Sequence, residues 1–322
     1  MISLNPKELP QPKVQGLLLG GVAPRPIALV STISGDGVKN ISPFSFYNAF
    51  GSNPPIVAFS PSRRGTDSTL KDTYNNLVQS GECVINAVTY SMVEQINLAS
   101  CEYGPDVDEF LKAGFTAVDS KIVKPKRVAE SPFHMECRLL DMKSYGEGPG
   151  SANLAVCEVV MFHISEAVWV ENKISTKLVD HVARNGEDIY TRAFGHSLFR
   201  VPKPGSRKGI GFDGLPQFMK LSHVFTANNL ARFAFSESIP DRQSVIDTVN
   251  SYEVLDSGEL AFGNYLMSNN KAEIIGSAIY LSKNHFKKSY FLEVAAKHFL
   301  EMGDSETAWL LAIYKGISCN EY

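Results

Sequence analysis

The sequence predicts a mainly β domain over residues 1–200, a barrel or sandwich of antiparallel strands with flanking helices, followed by a smaller α-helical region over residues 201–322. Three observations carry this expectation. Short β-rich runs between Pro26 and Ser60 are punctuated by Gly-Asp-Gly and Asn-Pro-Pro, as antiparallel hairpins require. Two longer β-like runs, Phe133–Tyr145 and Asn153–Val170, flank a Gly-Glu-Gly-Pro-Gly turn and should pair with each other. At Val201–Gly209 proline, glycine and basic residues cluster, and beyond them the apolar period turns helical.

Taken in order, Pro26–Ile33, Val38–Phe44 and Ile56–Ser60 read as strands. Asp67–Leu77 reads as a helix capped by Asp67 or Ser68, because Leu70, Tyr74 and Leu77 share one face. Cys83–Val88 is the next strand. Ser91-Met-Val-Glu94 has the spacing of a capping box and predicts a helix over Met92–Ala99, with a short helix around Asp108–Ala113 after it. In the C-terminal region His285–Leu300 and Ser305–Lys315 are the clearest helices. Gly303 suits the end of the first and Asp304 the cap of the second, which makes an αα-hairpin. It resembles one unit of a tetratricopeptide-like repeat, with one clear copy.

A chain of 322 residues exceeds what a single core usually serves, which favours two domains. Apolar residues make up 44% and charged ones 20%, so a packed core is available. With 31 Lys+Arg against 34 Asp+Glu, the net charge of −3 provides no positive field for nucleic acid. The apolar stretch Gly16–Val22 is short and lacks a basic leader, so it reads neither as a signal peptide nor as a membrane span. Five scattered cysteines without a C-x-x-C pair read as reduced thiols of a cytoplasmic protein. His134 and Cys137 lie three apart in a strand and should point to opposite faces, against a metal site. Gly209-Ile-Gly-Phe-Asp-Gly214 has no strand before it and reads as a structured loop, not a dinucleotide fingerprint. Neither a phosphate-binding P-loop nor a G-x-S-x-G elbow is present.

The most informative segments are Val30-Ser-Thr32, Asn40-x-x-Pro-Phe-Ser-Phe-x-Asn48 and Asn53-Pro-Pro55. Lys71-Asp-Thr73, Val84-Ile-Asn86, Glu109-Phe110, Ala113-Gly114, Glu130-Ser-Pro132, Glu136-Cys137, Val182-Ala-Arg184 and Tyr190 follow in the same order. Together, over residues 20–195, they resemble the flavin reductase-like or flavoredoxin-like proteins. The resemblance implies an FMN-binding split barrel, with FAD a weaker expectation, usually a homodimer with the flavin near the subunit interface. A flavin ring needs polar groups at its edge and an apolar floor, and its phosphate needs anion donors. Ser45, Phe46, Tyr47 and Asn48 suit the ring, and Ser31 and Thr32 the ring or ribityl chain. Ser60, Ser62, Arg64, Lys71 and Thr73 suit the phosphate, with Asp72 orienting Lys71 or capping backbone amides. His181, Arg184 and Tyr190 match a family segment that approaches the flavin, from either subunit. The implied activity is hydride transfer from NADH or NADPH to the flavin; the alternatives are a flavoredoxin-like electron carrier and a flavin-binding module whose C-terminal helices dock a partner.

Overall fold

The computed structural model describes residues 1–285 and 288–321. Contacts divide the chain into two compact units, Met1–Arg200 and Val201–Tyr322. The first unit opens with α1 (Gln11–Gly21), which buries none of its residues. Then come β1 (Arg25–Pro26), β2 (Ala28–Ile33), β3 (Lys39–Phe44), β4 (Tyr47–Ser52), β5 (Pro55–Phe59), α2 (Asp72–Ser80) and β6 (Glu82–Ala87). The unit continues through α3 (Val93–Leu98), α4 (Glu109–Ala113), β7 (Ala117–Val118), β8 (Arg127–Val128), β9 (Phe133–Tyr145) and β10 (Ala152–Ile164). It closes with β11 (Trp169–Val170), β12 (Lys173–Ile174), β13 (His181–Arg184) and β14 (Tyr190–Ala193).

Seven strands form one antiparallel sheet in the order β3-β2-β6-β9-β10-β5-β4, and β1, β13 and β14 form a second. The β-rich unit followed by helices is the fold class expected from the sequence. β2 explains its uninterrupted apolar run by being covered on both faces. Ala28 and Val30 join Phe44, Phe59, Leu77 and Ile85 in one core, while Leu29 joins Ile41, Met92, Ile96 and Phe110 under α3 and α4. The long hairpin forms as expected, β9 pairing with β10 along its length.

Several boundaries differ from expectation for local reasons. Helix α2 begins at Asp72, not at Asp67. The Asp67 carboxylate instead accepts from Thr69 N (3.0 Å) and Thr69 Oγ1 (2.7 Å), and Ser68 sits at φ 63°. That closed turn cannot join a right-handed helix. Lys71 becomes the N-cap without a side-chain bond. Ser91 does not cap: its hydroxyl lies 3.0 Å from Thr89 Oγ1, Tyr90–Met92 is a 3₁₀ turn, and α3 starts at Val93. The second long strand stops at Ile164, because Ser165 caps the 3₁₀ turn Glu166–Val168 by accepting from Ala167 N at 3.3 Å. Trp169–Val170 belongs to the separate β11–β12 hairpin.

The second unit contains α5 (Gln217–Lys220), α6 (Ala227–Ala234), α7 (Arg242–Asn250), α8 (Glu259–Ser268), α9 (Lys271–Asn284), α10 (Lys288–Met302) and α11 (Ser305–Ser318). Phe233, Ile274, Ile275, Leu292, Trp309 and Leu311 are among its core residues. The α10–α11 junction is as the sequence predicts, with Gly303 at φ 91° and the Asp304 carboxylate accepting from Thr307 N at 3.0 Å. Residues 286–287 of the expected helix His285–Leu300 lie outside the described residues. A second junction of the same kind, Asn269 at φ 54° followed by the N-cap Asn270, joins α8 to α9 and escaped the sequence reading. The Gly209–Gly214 stretch is a packed turn, where a side chain at Gly209 would strike the backbone of Ala234 and Phe235.

Candidate functional site

The end of β3, the start of β4 and the loop after β5 meet at one place. The chain leaves β3 at Phe44, turns through Ser45 and Phe46, and enters β4 at Tyr47. Ser60 N donates to Phe46 O at 2.9 Å, which ties that turn to the loop after β5. There the Ser60 and Ser62 hydroxyls lie 3.0 Å apart, and the buried Asn153 donates to Ser60 Oγ (3.3 Å) and Pro61 O (3.1 Å). Phe46 and Asn48 are exposed, and the Asn48 amide oxygen accepts from Ala49 N at 2.8 Å. Tyr47 is half-buried against the core, and burial pushes its hydroxyl well above the usual phenol range. Ser45 accepts from Arg25 Nε at 3.4 Å.

Beside this turn a small, open cleft is lined by Asn40, Arg64, Lys71, Asp72, Thr73 and Glu109, with Cys101–Tyr103 along one wall. Arg64 is heavily engaged: it donates to Leu70 O (2.6 Å) and Thr69 Oγ1 (3.1 Å), and it pairs with Asp72 (3.2 Å) and Glu102 (3.6 Å). Asp72 therefore holds Arg64, and among the described residues its carboxylate accepts no hydrogen bond from Lys71 or from a backbone amide. Lys71 forms no ion pair among the described residues, and its ammonium lies 6.0 Å from the Phe44 ring centroid. Burial, with the Arg64 charge second, holds its pKa below the ordinary lysine value.

Under the cleft floor runs a buried polar chain. Asn40 Oδ1 accepts from Thr32 Oγ1 (3.1 Å) and Thr73 Oγ1 (2.9 Å), and Asn76 donates to Thr32 Oγ1 at 3.1 Å. Asn40 Nδ2 and Ile41 N both donate to one oxygen of Glu109, at 2.6 and 2.8 Å. Glu109 thus satisfies a main-chain donor on the outer edge of β3, where no further strand pairs. Its carboxyl is pushed up to about 7, chiefly by burial.

Ser31 and Thr32 do not join the exposed turn. Both are buried on opposite faces of β2, where Ser31 donates to Lys126 O and Thr32 belongs to the chain under the cleft. His181, Arg184 and Tyr190 stand on β13 and β14, with the Arg184 guanidinium 5.8 Å from the Tyr190 ring centroid. They connect to the turn through Arg25, which pairs with Arg184 in the β1–β13 ladder and donates to both Ser45 and Asn185 O. Arg63 was missed by the sequence reading. Its Nε is the one buried side-chain nitrogen or oxygen without a partner among the described residues, while its Nη1 donates to Ser68 O at 2.9 Å. The adjacent pair Arg63-Arg64 was its only signal. Glu109 was legible as a motif residue but not as a buried one. His134 bonds Asn86 Oδ1 at 2.9 Å, and Cys137 lies in the core with Cys83 and Cys157.

A family model described as the flavin reductase-like domain matches residues 20–176. An uncharacterised protein of Aquifex aeolicus is 36% identical over 186 residues, 58% of this chain and 92% of its own length. The chain belongs to the flavin reductase-like family. An uncharacterised protein of Halalkalibacterium halodurans is 35% identical over 205 residues, covering 63% of this chain and 97% of that protein. Among solved structures, nitrilotriacetate monooxygenase component B from Bacillus cereus is 28% identical with a TM-score of 0.58, covering 63% of this chain and 98% of that one. The 2-nitrobenzoate 2-nitroreductase of Pseudomonas fluorescens, at 24% identity and a TM-score of 0.57, shares the split-barrel fold over 65% of this chain and all of its own. The helical unit lies beyond the residues that the flavin reductase-like model matches. No described helix is long and apolar enough to cross a membrane.

Proposed function

We propose that this flavin reductase-like protein binds FMN and passes hydride from NADH or NADPH to it. The observation that carries the reading is the set of donors near the exposed Phe46 turn: the Ser60 and Ser62 hydroxyls, bonded to each other, and, among the described residues, the partnerless buried Arg63 Nε and the Lys71 ammonium, which forms no ion pair. A phosphate monoester and a polyhydroxylated chain demand donors of this kind. The cleft at Lys71 is small and lined by polar side chains, which suits a phosphate better than the flavin ring. Lys71 and Arg64 would hold the phosphate there, Ser60, Ser62 and Arg63 the ribityl hydroxyls, and Ser45, Phe46, Tyr47 and Asn48 the ring. Ser31, Thr32 and Thr73, being buried and bonded within the protein, support these segments without touching the ligand.

Bound flavin supplies the hydride acceptor, and the chain's part is to position the two rings and to limit water around them. Two copies of the chain would complete the site. Helix α1 exposes Leu17 and Leu18 with no buried residue, and β4 exposes Phe50, so a homodimer would remove apolar surface that one subunit leaves in water. His181 and Arg184 would then approach the flavin from their own or the facing subunit.

Anaerobic stopped-flow absorbance tests the reading. With FMN added, NADH or NADPH should bleach the flavin within seconds. Absence of FMN binding in calorimetry would reject the proposal. Reduction by dithionite but by neither nucleotide would replace the reductase with an electron carrier.

A further inference from the structure

The cleft at Lys71 holds more negative than positive charge, an odd setting for a phosphate. Arg64 and Lys71 face three carboxylates, Asp72, Glu102 and Glu109. Two of the three are accounted for by Arg64, which binds Asp72 and Glu102. Glu109 is different. It is buried, has no cationic partner within bonding distance among the described residues, and takes its hydrogen bonds from the neutral donors Asn40 Nδ2 and Ile41 N.

Building on the proposed FMN site, we propose that Glu109 takes up a proton when a dianionic phosphate enters the cleft, so that FMN binding is coupled to protonation of this carboxyl. With Glu109 ionised, three carboxylates oppose two cations and a dianion is repelled; with it protonated, the cleft is balanced before the phosphate arrives. The carboxyl is poised for this, since burial already holds it at about 7, with Asp72 raising it further and Lys71 and Arg64 opposing. The other charged groups nearby do not take its place. On β3, Lys39 is committed to Asp108 at 2.6 Å, and along the cleft wall Lys112 lies 5.7 Å from the Tyr103 ring centroid. The sign follows from charge. Protons favour the occupied state, so FMN affinity falls as pH rises above 7, while riboflavin, which lacks the phosphate, is indifferent. Between pH 7 and 9 the phosphate of FMN is already dianionic, because its second pKa is about 6, so the ligand does not contribute to the trend.

Calorimetry on the full chain, repeated at pH 8 in buffers of different ionisation enthalpy, reads the proton directly. The expected result is uptake of close to one proton per FMN and none per riboflavin. From pH 7 to 9 the FMN dissociation constant of the wild type should rise about thirtyfold, within the limit of tenfold per pH unit that one proton allows. Glu109→Gln keeps an oxygen for Asn40 and Ile41 and should bind FMN with little pH dependence, its fold being checked by unchanged riboflavin affinity. FMN binding without proton uptake overturns the inference and leaves the flavin site standing, as does the same pH dependence in both proteins. No FMN binding at any pH would instead remove the flavin site itself.

Discussion

Lys71 and Arg64 line the same cleft, and the structure predicts unequal consequences for their loss. Lys71 forms no ion pair among the described residues, so its ammonium is available to an incoming phosphate. Arg64 already spends its donors on Leu70 O, Thr69, Asp72 and Glu102. A hydrogen bond to a charged group contributes about 1.5–3 kcal/mol, so Lys71→Ala should weaken FMN binding roughly tenfold to a hundredfold. Arg64→Ala removes a cation largely neutralised by two carboxylates and should cost less than about tenfold directly. Because riboflavin carries no phosphate, its affinity should barely move in Lys71→Ala. Fluorescence quenching of each flavin by wild type and both variants measures all six constants. Equal FMN and riboflavin losses in Lys71→Ala would show that Lys71 supports the loop without meeting the phosphate. A larger loss from Arg64→Ala than from Lys71→Ala would refute the argument from free donors.

Glu136 is fully buried and accepts from the backbone amides of Lys121, Ile122 and Val123 and from His163, which holds its carboxyl down to about 2 against an ordinary 4.5. A depressed carboxyl stabilises above its unfolded pKa and ceases to as pH falls through the folded one. About 3 kcal/mol should therefore disappear between pH 4.5 and 2 in the wild type, and the fall in urea-unfolding stability over that window should be shallower in Glu136→Gln. Gly276 in α9 leaves no room for a side chain against the backbone of Glu253 and Leu255, so Gly276→Ala should lower stability by about 1–3 kcal/mol, seen as a drop in Tm. A protein ending at Arg200 should remain soluble and bind FMN, because that unit has its own cores; insolubility or loss of binding would contradict this.

The strands were legible where chemistry and environment agree. Phe133–Tyr145 alternates and ends at a glycine-rich turn, and β9 has those bounds. The αα-hairpin was legible because Gly303 and Asp304 each have one evident use, whereas Asn269-Asn270 performs the same service in residues that favour many turns. What misled was competition at short range. Asp67 offers the same carboxylate to a helix or to Thr69, and the sequence does not say which prevails. Ser31 and Thr32 suit the ring or ribityl chain in the sequence, whereas in the fold a strand covered on both faces buries them against internal acceptors. The orphaned Nε of Arg63 and the unpaired state of Lys71 are properties of the folded neighbourhood, and no local pattern encodes them.

The last strand of the large sheet, β4, carries an irregularity between Ala49 and Gly51, so that Phe50 has no counterpart in β5. A regular outer strand is a template on which another chain can extend the ladder of main-chain bonds without limit. The extra residue breaks the even spacing of donors and acceptors on that rim and throws the exposed Phe50 ring outward. A neighbour meets this rim through side chains more readily than by adding itself as an eighth strand, which guards this edge of the sheet against open-ended growth.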